Sequence, residues 1–219
     1  PLTKTDSTSV LLNFTDAGIF DGAGKQNLET IGDVYVVNDV KKYGTGAIYF
    51  GGSDDFLKIP YSDFFVIGSG DYTVETWIYQ QTAGEIVGAF NINSPYDGFL
   101  FSTNFSGTAG ALAYFGSDGT NSETKTSTNI ISNNTWTHIA MSKQGTTLRF
   151  FINGTLDSTH TLSFSPVGSQ QQIHIGADSN SLTSPSREFR GYLDDLRITK
   201  GVARYTSSFT PPSAKLPNL

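Results

Sequence analysis

Short apolar segments alternate with polar, turn-forming segments along the chain, and within the apolar segments hydrophobic residues recur at every second position. The clearest example is residues 71–79, DYTVETWIY. Tyr72 and Ile78 fall on one face of this predicted strand, and Glu75 and Trp77 fall on the other. A period of two is that of a β-strand. No segment sustains an apolar period of 3.6 residues, so the sequence predicts little helix.

Gly, Ser, Thr and Asn supply the turns between these segments. Asn153-Gly154 is the strongest hairpin signal, because Asn-Gly readily adopts the two positive φ angles of a type I′ turn. The spacing of the predicted strands, about 8–15 residues, favours an antiparallel sandwich. The predicted strands are residues 9–14, 34–37, 47–50, 56–59, 71–79, 85–90, 98–101, 111–115, 136–142, 148–152, the segment from 155 onward, 172–175 and 192–199.

The closing stretch, residues 189–212, carries an acidic pair inside an apolar strand pattern. Simple alternation over 192–199 places Asp194 on the face of Leu196 and Ile198, and Asp195 on the opposite face with Arg197 and Thr199. Lys200 to Tyr205 is predicted to form one helical turn. The Pro211-Pro212 pair that follows predicts an extended exit, since proline continues neither a helix nor a central strand.

Composition narrows the classes of function. The chain has 219 residues, a formal net charge of −6 and no cysteine. The missing cysteines exclude disulfides, thiol catalysis and cysteine metal sites. The acidic balance disfavours nucleic-acid binding, which needs clustered Lys and Arg, and no apolar stretch is long enough to insert into a membrane. We expect one domain, 1–219, with 1–8 as a flexible arm and 200–219 as a C-terminal strap.

Several motifs resemble the laminin G-like, concanavalin A-like jelly-roll superfamily. They read LLNFTDAG (11–18), KKYGTGAIYFGGSDDFLKIP (41–60), GDYTVETWIY (70–79), WTHIAMSK (136–143) and LRFFING (148–154). The closing FRGYLDDLRITKGVARYTSSFTPP (189–212) resembles the branch of this superfamily found in bacteriophage virion proteins. The resemblance implies an all-β, antiparallel two-sheet jelly-roll sandwich and, often, a sugar-binding role.

Three functions are compatible with this resemblance. The expected one is a non-enzymatic protein on the surface of a phage particle, assembled in the host cytoplasm, that adheres to host surface polysaccharide. The alternative is a capsid or tail decoration protein that binds other virion structural proteins without recognising sugar. A polysaccharide-degrading enzyme is the third. Virion appendages are commonly symmetric, so a homo-oligomer is expected in either virion role.

The sequence predicts no catalytic residues. Glycan hydrolases use two carboxylates that flank the scissile bond, but Glu75 has no second carboxylate two or four positions away on its strand. Glu123 and Glu188 lie in turn-rich stretches without a partner in register. We interpret His138 as a structural histidine that is hydrogen-bonded within the sheet. The same interpretation applies to His160 and His174.

The loops offer candidate carbohydrate ligands, because sugars stack on aromatic rings and hydrogen-bond to polar side chains. Such loops are also typical of ordinary sandwich turns. Trp77 and Trp136 are predicted to lie in the core rather than to bind sugar. The candidates are Tyr96, Asp97, Asn121, Asp178, Asn180 and Arg187.

A structural calcium ion is the predicted cofactor. The resemblance to laminarinase-type glucanases implies Asp194 as its carboxylate ligand, with carbonyl oxygens from Asn13 and Gly52. An alternative is equally compatible with the sequence. In it, Asp194 accepts backbone N–H groups at a corner of the sheet, and Asp195 pairs with Arg197 or Lys200.

Overall fold

Fifteen β-strands make up the regular secondary structure in the part of the chain that the computed structural model describes. The structure describes residues 8–12, 19, 27–61, 69–90, 97–166, 172–177 and 187–216. The strands are β1 Thr8–Leu12, β2 Glu29–Ile31, β3 Tyr35–Val37, β4 Ala47–Gly51, β5 Phe56–Ile59, β6 Tyr72–Thr82, β7 Glu85–Phe90, β8 Asp97–Ser102, β9 Ala111–Asp118, β10 Ser122–Ile130, β11 Trp136–Gln144, β12 Thr147–Ile152, β13 Thr155–Thr161, β14 Gln172–Ile175 and β15 Arg190–Lys200.

These strands form two antiparallel sheets. Sheet I has the order β13-β12-β11-β6-β15-β4-β3, with β1 also paired to β15. Sheet II has the order β10-β9-β8-β7-β14-β5-β2. The described ranges contain no helix, and therefore none that could span a membrane. The predicted all-β jelly-roll sandwich is confirmed.

Apolar side chains from both sheets meet between them. Tyr72 of β6 stacks on Phe99 of β8, with ring centroids 4.9 Å apart, and Phe150 of β12 lies 6.2 Å from Phe101. All four rings are fully buried. The period-two pattern of β6 is confirmed, since Tyr72, Val74 and Ile78 belong to the core cluster and the alternate residues face outward.

A β-bulge in β15 overturns the predicted faces of the closing strand. Asp194 lies opposite Trp77 and Arg197 lies opposite Glu75, so three steps on β15 match two on β6. Asp195, with φ 51°, occupies the bulge. The extra residue shifts the alternation by one, so Asp194 faces outward with Arg197 while Leu196 packs in the core. The prediction that Asp194 shares a face with Leu196 and Ile198 was therefore wrong.

The predicted helical turn over Lys200 to Tyr205 was also wrong. Residues 201–216, here called the strap, run without regular secondary structure across the outer face of sheet I. The Arg204 N–H donates to Thr73 Oγ1 at 2.9 Å, a partner on β6. Contacts to the sheet replace the internal bonds that a helical turn would make.

Gly154 joins the strap to the β12–β13 hairpin. Asn153 and Gly154 have φ values of 50° and 75°, as predicted for the type I′ turn. The Phe209 N–H donates to the Gly154 carbonyl at 2.8 Å. A Cβ on Gly154 would lie 2.1 Å from the Phe209 carbonyl oxygen, so this position requires glycine for the turn and for the strap.

Candidate functional site

Five aromatic side chains lie in one line across the outer face of sheet I. Each belongs to a different strand and stands directly opposite the next in the strand register. Neighbouring ring centroids are 5.4, 4.9, 5.6 and 5.7 Å apart along the line. This aromatic row consists, in spatial order, of Tyr35, Tyr49, Tyr192, Tyr79 and Trp136.

Solvent reaches every ring of the aromatic row. Tyr35 in the edge strand β3 is 52% exposed, and the other four side chains are half-buried. Trp136 was predicted to lie in the core, and that prediction was wrong, because its ring packs against Tyr79 on the outer face. A continuous, partly exposed aromatic surface of this kind marks a binding site more often than isolated exposed rings do.

Polar groups border the row on the side away from the strap. Arg190, exposed, lies two residues before Tyr192 and opposite Gly51. Half-buried Gln81 lies two residues after Tyr79. Asp39 lies on the other side of the row, because β3 runs from Tyr35, opposite Tyr49, to Val37, opposite Ala47, and Asp39 continues in that direction. It is exposed, and its charge raises the pKa of Tyr192, after the larger effects of burial and of neighbouring Tyr49. The tyrosine hydroxyls and these side chains supply hydrogen-bond donors and acceptors beside the rings.

The other border of the row is the strap. Trp77 and His138 lie next to the row on this side. Trp77 is two residues before Tyr79 in β6, His138 is two residues after Trp136 in β11, and their ring centroids are 5.3 Å apart. Phe209 of the strap covers His138 at 5.7 Å, and Lys42 Nζ lies 4.0 Å above the Trp77 ring. Trp77 is therefore buried, as predicted, but beneath Lys42 and Tyr43 on the outer face and outside the core cluster between the sheets.

The predicted loop ligands do not come together. Asp97 and Asn121 lie at one end of β8 and β9, where Asp97 pairs with Asp118 and Asn121 donates to Asp118 Oδ1 at 2.6 Å. Arg187 lies at the other end of β8, since its carbonyl accepts the N–H of Glu85. About five residues of strand, or roughly 17 Å, separate the two ends.

The side chains of two of these loop residues, Asn121 and Arg187, contact neighbouring protein groups. Asn121 shapes the β9–β10 turn, and the Arg187 guanidinium lies 4.5 Å above the Phe105 ring. Tyr96, Asp178 and Asn180 lie outside the described residues. Their role in sugar binding stays a prediction.

A buried ion network lies beneath the strap. Glu75 and Arg197 are 1% and 2% exposed, and Arg197 donates through Nε to Glu75 Oε1 at 2.9 Å and through Nη2 to the same oxygen. Tyr205 Oη donates to Glu75 Oε2 at 2.6 Å, and His138 Nε2 lies 3.4 Å from that oxygen. His138 thus has a structural position, and its acidic neighbour comes from the adjacent strand.

These contacts fix the protonation state of Glu75. Burial by itself raises the pKa of the carboxyl, but His138, Arg197 and Tyr205 stabilise the anion more strongly and hold the pKa at about 2. A general acid needs a pKa near the working pH. Protein groups occupy both oxygens of Glu75, so the arrangement is suited to anchoring the strap.

The Asp194–Asp195 pair lies beside the far end of the strap. Asp194 Oδ2 accepts the backbone N–H groups of Lys42 and Tyr43, both at 2.9 Å. Asp195 Oδ2 accepts the N–H of Leu216 at 2.8 Å. Burial raises the pKa of Asp194 to about 6. For Asp195, burial and then the charge of Asp194 raise the pKa to about 7.

The described residues fit the predicted calcium site poorly. Gly52 lies just beyond β4, beside Arg190, which is four residues and roughly 13 Å along β15 from Asp194. Asn13 lies outside the described residues, which hold no cluster of three or more metal-ligating His, Asp or Glu side chains. The backbone N–H bonds to Asp194 match the alternative, whereas Arg197 pairs with Glu75 rather than with Asp195. Calcium binding stays a prediction.

A family model matches most of this architecture. Laminin_G_3, described as the concanavalin A-like lectin/glucanases superfamily, matches residues 50–204, which is more than half of the chain. The chain belongs to this superfamily. The match includes the strands that carry Tyr79, Trp136 and Tyr192 of the aromatic row. The predicted membership of the superfamily is confirmed, and the bacteriophage branch stays a prediction.

Solved structures share the concanavalin A-like fold at low sequence identity. Domain 4 of AbnA, a GH43 extracellular arabinanase from Geobacillus stearothermophilus, solved with arabinotriose, is 18% identical with a TM-score of 0.67, and the match covers 89% of this chain and 93% of that one. The binding domain of botulinum neurotoxin serotype G is 15% identical with a TM-score of 0.65, covering 93% and 48%. The binding domain of botulinum neurotoxin DC, in complex with SialylT, is 12% identical with a TM-score of 0.65, covering 90% and 49%.

This concanavalin A-like chain spans about half the length of the neurotoxin binding domains that it matches. At these identities the likeness shows the fold alone. Among curated proteins, no sequence is significantly similar to the chain.

Proposed function

We propose that this domain is a non-catalytic glycan-binding module and that the aromatic row is its binding site. The observation that carries the proposal is the alignment of five solvent-accessible aromatic rings in five consecutive strands. Sugar rings stack their C–H faces on aromatic surfaces, and their hydroxyl groups bond to polar side chains such as Arg190, Gln81 and Asp39. Membership of a superfamily of lectins and glucanases supports the same class of ligand.

The ion network supports a non-catalytic role. Glu75 has a histidine, His138, beside it, yet its pKa of about 2 keeps it ionised and the strap covers it. A retaining hydrolase needs two carboxyl groups about 5–5.5 Å apart beside the sugar. No second carboxylate contacts Glu75 in the described residues.

The proposed setting is the surface of a phage particle assembled in the host cytoplasm. The closing segment, with its resemblance to virion proteins, supports this setting. There the module would adhere to host surface polysaccharide. Weak binding at each site would be sufficient, because many copies of a homo-oligomer on one particle multiply the avidity.

A glycan array with the purified domain tests the proposal. Wild type is expected to bind at least one glycan that the Tyr49→Ala, Tyr192→Ala double variant does not bind. Tyr61→Ala is a matched control, since Tyr61 is 45% exposed but follows β5 of sheet II. No binding to any glycan, together with stable binding to capsid or tail subunits, would contradict the adhesion function and support a role as a capsid or tail decoration protein. Release of reducing ends from a polysaccharide would show an enzyme.

A further inference from the structure

The direction of the aromatic row sets the direction of a bound glycan. The rings follow the hydrogen-bonding direction of sheet I, in which neighbouring strands are about 4.8 Å apart. Four such steps place Tyr35 and Trp136 roughly 19 Å from one another. A site of this length contacts several consecutive sugars of one chain, whereas a single sugar would cover one or two rings.

Both ends of the row are open. Tyr35 lies in β3, the last strand at its edge of sheet I. At the other end, the pairing of β11 with β12 stops at Ile139, so no residue of β12 lies opposite Trp136. Recognition of a terminal sugar needs a concave pocket that encloses most of the ligand. A row that is open at both ends instead lets a chain continue past the site in either direction.

The ring planes do not form one flat surface. Tyr35 and Tyr49 are inclined by 56°, and Tyr49 and Tyr192 by 46°. The ring of Tyr79 is inclined by 76° to Tyr192 and by 62° to Trp136. The twist of the sheet adds a rotation of about 20–25° between adjacent strands. A crystalline polysaccharide presents a flat array of parallel sugar rings, which touches coplanar aromatic rings and would reach few rings here.

We propose that the aromatic row binds the interior of a single, soluble, extended glycan chain that runs across the strands and contacts several consecutive sugars. This inference rests on the proposed function, because it names the ligand class of the same site. Rotation of successive sugars along a free chain matches the changing tilt of successive rings. The strap and the Arg190–Gln81 border lie on the two sides of the chain.

A length series tests this ligand class. Cello-, laminari-, manno-, galacto-, arabino- and chito-oligosaccharides from monomer to hexamer are titrated calorimetrically against the intact chain. In the series that binds, affinity is expected to rise roughly tenfold or more from dimer to pentamer as further rings are engaged. Microcrystalline cellulose and chitin are expected to retain no more protein than an uncoated resin.

The end ring provides the sharper variant. Tyr35→Ala removes the ring at the open edge of the row and leaves the four inner rings in place. The variant is expected to lose affinity several-fold for the pentamer and to bind the dimer as wild type does. Tyr61→Ala is expected to leave both affinities unchanged.

Each outcome separates the two proposals. Equal affinity for monomer and hexamer, or equal loss of dimer and pentamer binding in Tyr35→Ala, would overturn the extended-chain inference and leave glycan binding intact. Retention on the crystalline polymers would overturn the inference as well. Absence of binding to every oligosaccharide and on the array would overturn the proposed function. Self-association that Tyr35→Ala abolishes, without glycan binding, would assign the row to contacts between copies.

Discussion

Tyr192 occupies the centre of the aromatic row and contacts both Tyr49 and Tyr79. Tyr192→Ala is expected to lower the affinity for a bound oligosaccharide about tenfold or more, because it interrupts the stacking surface. The free energy of unfolding should fall by about 0.4–2 kcal/mol, because Tyr192 belongs to two cross-strand aromatic pairs that each contribute about 0.2–1 kcal/mol. Calorimetric titration and urea unfolding measure the two effects. Unchanged affinity in a folded Tyr192→Ala protein would contradict the assigned site.

Asp195 makes stability depend on pH in an unusual direction. Its pKa of about 7, and that of about 6 for Asp194, lie above the ordinary value of 3.8, so the folded state holds these protons more tightly than the unfolded state. The stabilisation is complete below about pH 3.8 and is lost as the pH rises through 6 and 7. Asp195→Asn, which tolerates the positive φ at this position, is expected to flatten this decline.

The carboxyl of Glu75 acts in the opposite direction and in a different window. Its pKa of about 2 lies below the ordinary 4.5, so its contribution is present above pH 4.5 and is lost as the pH falls toward 2. Urea unfolding at a series of pH values is therefore expected to show maximal stability at about pH 4, where Glu75 is ionised in the folded state and the two aspartates have only begun to lose their stabilisation. A wild-type optimum above pH 7, or an Asp195→Asn profile parallel to wild type, would contradict these assignments.

The strap acts as one element because its aromatic side chains join it to the ion network. Tyr205 and Phe209 stack with centroids 3.5 Å apart, and the Tyr205 hydroxyl donates to Glu75. Tyr205→Phe keeps the ring and removes this bond to a charged acceptor, with an expected loss of about 1.5–3 kcal/mol in the free energy of unfolding. Thr206→Ala, at an exposed strap position, is the matched control and should stay within about 0.5 kcal/mol of wild type. Equal urea midpoints for the two variants would contradict an anchored strap.

Strands with apolar alternation were predictable, and strands held by polar contacts were not. β6 and β15 carry core residues at every second position outside the bulge, and sequence analysis found both. β10, SETKTSTNI, has no apolar alternation because it is an edge strand with a mostly solvated surface. The Asp157 carboxylate of β13 accepts the N–H groups of Thr128 and Asn129 and holds this edge. A contact between distant segments leaves no periodic signal in either.

The bulge at Asp195 shows the same limit on a smaller scale. A strict period of two predicts the face of every residue until one extra residue enters the strand. The residue types at positions 194–197 did not indicate a bulge, because Asp and Arg occur on either side of one. Because the bulge was not predicted, Asp194 was assigned to the wrong face. The pairing of Arg197 with Glu75 was not predicted either.

At the scale of the whole molecule, the superfamily was predictable and the candidate site was not. The closing segment and the WTHIAMSK motif identify the fold without any knowledge of register. The aromatic row requires the register of five strands that are distant in sequence, from Tyr35 to Tyr192. Each aromatic residue alone is typical of a half-buried strand position. The available signal was an aromatic residue at a position of the polar, outward-facing set in each of several predicted strands.

The location of a bound glycan tests the central claim most directly. The tightest-binding oligosaccharide of the length series is titrated into isotopically labelled protein, and amide and aromatic chemical shifts are followed by NMR. Changes are expected at Tyr49, Tyr79, Trp136 and Tyr192, with Asp97 and Asn121 unaffected. Changes confined to Asp97, Asn121 or Arg187, with the aromatic row unperturbed, would contradict the account and place the site in the loops.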